Sequence, residues 1–167
     1  MKFVVMVIIL IVISGCGGNA DGLNTRHDAR SVILAYQQQV DELLTASKLG
    51  IHSSLSAQQL DQLYNLGQVL VGQVLEERNL CDSYLSTIAK SAPMLREAST
   101  SQLQTGYLEE QALPDFDAPI CFHIKELVFH PLHIHSNLQT NPALAQKELN
   151  EVRAHAAVVY EYLQRAI

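Results

Sequence analysis

The chain has 167 residues, 48% of them apolar, 17% charged and 6% aromatic, with no Trp and a formal net charge of −6. That length suits one domain with a real core, and the apolar share excludes an intrinsically disordered chain. Three Cys exclude a dense disulfide scaffold, and 11 Lys and Arg against 17 Asp and Glu argue against nucleic acid as a partner.

The chain opens on Met1 and Lys2, followed by 11 uninterrupted apolar residues from Phe3 to Ile13. A bilayer span needs about 20 such residues, so this run suits the hydrophobic region of a signal peptide instead. Ile13-Ser14-Gly15-Cys16 follows, and its small residues suit a peptidase pocket. This ending resembles the lipobox of bacterial lipoproteins. The resemblance implies cleavage before Cys16 and lipidation of its sulfur and amine. In that family the residue after the Cys guides sorting, and Gly17 is not the Asp associated with inner-membrane retention. The expected organisation is a signal peptide over 1–15, a lipidated Cys16 with a flexible tether over 16–24, and one helical domain over 25–167. Removing residues 1–15 takes away one Lys and no acid, leaving 152 residues of net charge −7. The mature chain is then about 45% apolar, ordinary for a globular domain.

Helical periodicity dominates the rest. From about Asp28 to Leu49, apolar residues recur at Val32, Tyr36, Val40, Leu43 and Leu44, and Gly50 supplies a stop. Ser56-Ala57-Gln58-Gln59 matches a capping box, with Leu55 and Leu60 placed as a hydrophobic staple. A long second helix follows through Leu60, Leu63, Leu66, Leu70, Val74, Cys81, Tyr84, Leu85 and Ile88. It is expected to run to about Ser91, where Pro93 forbids simple continuation. Gly67 and Gly72 inside it suggest close helix approach. A short helix is expected around Gln102–Gln111, and Leu113–Pro119 reads as a loop. Asp115-Phe116-Asp117 there is explained by a turn and an N-cap.

The third long segment, Asp117–Asn137, contains Pro131, which either kinks it or splits it. Ile120, Ile124, Leu127, Pro131, Ile134 and Leu138 step by four and three. After the helix start at Asn141-Pro142, so do Ala145, Leu149, Val152, Ala156, Val159, Leu163 and Ala166. Two such helices joined by a few residues pack antiparallel. The expected fold is all-α: an antiparallel four-helix up-down bundle with a Pro-kinked third helix.

With Cys16 assigned to lipid, Cys81 and Cys121 are the remaining thiols in an oxidising compartment. A bridge between them would close a loop of about 40 residues, worth roughly 4 kcal/mol in the chain-entropy picture. Four of the seven His lie between Cys121 and His135. At about 100° per residue, His123, Glu126, His130 and His133 fall within roughly 80° of arc, opposite Cys121, Val128 and Leu132. Glu151 and His155 on the last helix would face this stripe in an antiparallel pair. Such spacings bring imidazoles within reach of one ion. A solvated polar face is the plainer reading. Phe122 and Phe129 share a face that is either core or a partner patch.

No nucleophile elbow, phosphate-cradling glycine loop, dinucleotide fingerprint, His-Glu-x-x-His or Cys-x-x-Cys-His occurs. A non-enzymatic role without a cofactor is therefore expected. The leading reading is an outer-membrane lipoprotein facing the periplasm, held through its lipid, whose disulfide-tied helical domain contacts an envelope protein. It is similar in size, anchor and helix content to secretion pilotins, an analogy at the level of architecture. The second reading is a bundle binding zinc or another divalent transition metal through His123, Glu126, His130, His133 and His155.

Overall fold

The computed structural model describes residues 28–48, 54–78, 81–97, 114–116, 118–138 and 141–165. The signal peptide, Cys16, the tether and the expected helix at Gln102–Gln111 lie outside them. The expected cap at Ser56 does not hold, because the second helix already begins at Ser54 and Ser56 lies inside it. The described residues form five α-helices and no strand: α1 (Ala29–Lys48), α2 (Ser54–Arg78), α3 (Asp82–Glu97), α4 (Pro119–Asn137) and α5 (Pro142–Arg165).

The start of α5 follows the expected cap chemistry, and α1 proves to be capped in the same way. Asp28 Oδ1 accepts the Ser31 amide at 2.8 Å ahead of α1, and Asn141 Oδ1 accepts the Leu144 amide at 3.2 Å ahead of α5. The long second helix does not form as one piece. It breaks at Cys81, whose φ of 61° is left-handed and costs an L residue about 1–2 kcal/mol. The Cys81 carbonyl then accepts the Leu85 amide at 2.8 Å, starting α3. Tyr84, Leu85 and Ile88 keep their apolar stripe, but on a separate helix that folds back on α2.

Pro93 does not stop α3, which continues to Glu97. The ring sits on an exposed face one turn from the helix end, where water can satisfy the carbonyl it frees. Pro131 does not split its helix either, since α4 runs unbroken through it.

Hydrogen bonds between helices set their directions. Arg30 Nε donates to the Leu163 carbonyl at 3.0 Å, while Ser47 Oγ meets Gln146 Oε1, so α1 and α5 run antiparallel. The Ala29 amide reaches Glu77 Oε1 at 3.3 Å, which sets α1 against α2 in the same sense. Contacts link α1 to α2 and α5, α4 to α2 and α5, and α3 to both α2 and α4. The heptad positions Ala145, Leu149, Val152, Ala156, Val159 and Leu163 of α5 are all buried.

α2 and α4 approach closely at Gly67. Pro131 has no amide to offer the Leu127 carbonyl one turn earlier. The buried Tyr36 hydroxyl, on α1, donates to that carbonyl at 2.7 Å. Gly67 on α2 faces the same oxygen, and a methyl group there would sit 2.5 Å from it. Gly72 meets nothing within 4 Å. The expected role of close approach therefore belongs to Gly67 alone.

Cys81 and Cys121 pair as a disulfide with Cα atoms 6.0 Å apart. Toward the other end of α3, the Tyr64 hydroxyl donates to the buried Ala92 carbonyl at 2.6 Å, and Arg96 bridges to Asp61 at 3.2 Å; these contacts fix α3 to α2.

Candidate functional site

The α4–α5 seam collects the histidines. Because α4 packs on α2, α3 and α5, most of its circumference is buried, including Cys121, Val128 and Leu132 and also Phe129. Its remaining strip, His123, Glu126, His130 and His133, is half-buried along the seam. The antiparallel pairing brings His155 of α5 onto it. His123 Nδ1 and His155 Nδ1 lie 2.8 Å apart. The His130 ring stacks on that of His155, with centroids 5.4 Å apart and planes at 29°, and the His133 ring stands edge-on to His130 at 6.4 Å. Glu126 spans the group, with Oε2 3.4 Å from His130 Nε2 and Oε1 2.6 Å from Lys125 Nζ.

Burial lowers the pKa of His130 and of His155 below the ordinary imidazole value, with the Glu126 charge opposing it. Two turns back along α5, burial raises the Glu148 carboxyl to about 7, and the Glu151 charge adds to the rise. Glu151 itself pairs with Lys147 at 3.4 Å. His130 Nδ1 and Glu148 Oε2 are buried without a hydrogen-bond partner among the described residues.

A 2.8 Å separation of two ring nitrogens is a hydrogen bond, in which one imidazole donates and the other accepts. It does not suit a shared ion. Two nitrogens at about 2.05 Å from zinc and this close together would subtend roughly 86°, well short of tetrahedral. Among the described residues, no group of three His, Cys, Asp or Glu side chains is placed to hold a metal ion. The expected stripe is thus assembled, His155 included, as a hydrogen-bonded and stacked polar seam. Phe122 and Phe129 divide: Phe129 is core, whereas Phe122 is 38% exposed and stands edge-on to His123 and His155. Phe116 packs edge-on against Tyr84 at 5.3 Å, while Asp117 lies outside the described residues.

Next to this seam lies a feature that periodicity did not announce. A groove of about 710 Å³ opens between the first turns of α4 and the last turns of α5. Ala118, Pro119 and Ile120 form one wall and Ala157, Val158 and Tyr162 the other, with His123, Glu161 and Arg165 as its polar members. Val158 is 43% exposed. The available signal was small: Ala157 and Val158 are apolar yet off the heptad stripe, and Ala118-Pro119 starts a helix without a capping side chain. Among the described residues, no helix is long and apolar enough to cross a membrane. No protein-family model, curated protein or solved structure matches this chain.

Proposed function

We propose that this chain is an outer-membrane lipoprotein facing the periplasm, whose helical domain serves as an interaction module for an envelope protein. The lipobox-like Ile13-Ser14-Gly15-Cys16 supports the anchor, and the groove between α4 and α5 is the observation that carries the interaction role. We infer that α1, α2, α4 and α5 make an antiparallel four-helix bundle, with α3 laid against its α2–α4 side. A volume near 710 Å³ lies within the range of about 300–1,000 Å³ typical of ligand sites. An open, mostly apolar groove at one end of such a bundle favours a bound partner over catalysis.

The experiment places a photo-crosslinking residue at Val158 in living bacteria, with a second chain labelled at the similarly exposed Val69 on α2. One recurrent envelope protein captured from position 158 and not from 69 is the expected result. The same captures from both positions, or none, would refute the interaction role. The rival reading, a divalent transition-metal bundle using His123, Glu126, His130, His133 and His155, has these groups gathered at one seam but requires the His123–His155 hydrogen bond to open before an ion could be shared. Calorimetric titration with zinc tests it, and binding that ignores His130→Ala and His155→Ala refutes it.

A further inference from the structure

The groove lies at the end of the domain where α1 begins. Arg30, the second residue of α1, donates to the Leu163 carbonyl at 3.0 Å, and Leu163 lies between the groove residues Tyr162 and Arg165. Eleven residues, Gly17 to His27, separate Cys16 from Asp28. Eleven residues can span at most roughly 36–40 Å, so their length allows Cys16 to reach the groove.

Three polar side chains of the groove already have partners. Glu161 pairs with Arg165 at 3.4 Å on the same helix, and His123 gives its Nδ1 to His155. A hydrocarbon chain asks for no polar partner, so it fits apolar walls without any further hydrogen bond. The walls offer mostly apolar surface, from Ala118, Pro119, Ile120, Ala157 and Val158, with the Tyr162 side chain beside them.

Resting on the lipoprotein reading above, we infer that the groove seats an acyl chain carried on Cys16 of the same molecule. The domain holds its own lipid in this state, and an envelope partner gains the groove by displacing it.

Metabolic labelling of the full chain in living bacteria with a diazirine-bearing fatty acid tests this. After irradiation, mass spectrometry reads which peptides the lipid has joined. The expected product links the Cys16 peptide to the peptide containing Ala157 to Tyr162. Its yield falls at least fivefold in Val158→Asp and is unchanged in Val69→Asp, since both side chains are exposed and neither change disturbs the core. Lipid on Cys16 without that link overturns the inference. A free phospholipid adduct in the groove in place of the Cys16 link also overturns it, by assigning the groove to bilayer lipid. Absence of lipid mass on Cys16 removes the anchor itself, a failure distinguishable from the other two.

Discussion

Replacing Tyr36 by Phe removes one oxygen from the core and tests how α4 accommodates a buried proline. The Leu127 carbonyl has lost its helical partner to Pro131, and the Tyr36 hydroxyl meets it at 2.7 Å. Tyr36 is fully buried, so water does not replace the missing donor. A buried carbonyl left unpaired costs about 1–3 kcal/mol. With a urea m-value of about 1–3 kcal/mol/M, the unfolding midpoint should fall by roughly 1 M. The decisive arm is a double-mutant cycle. Pro131→Ala returns an amide to the Leu127 carbonyl, so Tyr36→Phe on that background should cost under about 1 kcal/mol. Equal costs on both backgrounds, or a neutral Tyr36→Phe in the parent chain, would refute the account of the proline site.

Gly67→Ala forces a methyl group to 2.5 Å from the Leu127 oxygen and should destabilise by about 1–3 kcal/mol, whereas Gly72→Ala, with open space around it, should stabilise by about 0.5–1 kcal/mol; paired urea denaturations check both. Reduction of Cys81–Cys121, or Cys121→Ala, should remove roughly 4 kcal/mol and lower Tm accordingly, read by thermal melts with and without reductant. Glu148 holds its proton more tightly in the folded chain, so its contribution is whole below about 4.5 and is lost as pH rises through about 7. Glu148→Gln should therefore raise Tm at pH 8 by roughly 3 °C, from about 1 kcal/mol after solvent screening of a half-buried group, and do little at pH 4. His130 and His155 have lowered values, so their contribution is whole above 6.5 and is lost as pH falls below it; His155→Gln should flatten that acid limb of the Tm profile.

Much of the helical layout is legible because burial and periodicity coincide. Every described heptad residue of α5 is in the core, and α4 spans the expected segment through its proline. The break at Cys81 is hidden for the opposite reason. The apolar stripe continues across it, so the spacing reads as one helix while the backbone turns left-handed. Pro93 misleads because exposure near a helix end makes its missing bond cheap. The partner of the Leu127 carbonyl comes from Tyr36, 91 residues away, a pairing that no local pattern contains. The candidate site divides similarly. The His stripe is written on one helix, but its contact with His155 exists only through tertiary packing, and the groove is a shape left between two helix ends.

The Cys81–Cys121 bond has a topological consequence. It closes residues 81–121 into a covalent ring that includes α3. Hydrolysis of any single peptide bond within that ring linearises it and releases nothing. The fragment carrying α1 and α2 stays joined through sulfur to the fragment carrying α4 and α5. A protease able to cut this stretch would produce a nicked chain of unchanged mass, apart from one added water, until a reductant separated the halves. The bond thus makes the stretch between α2 and α4 a place where the backbone can be severed without the molecule coming apart.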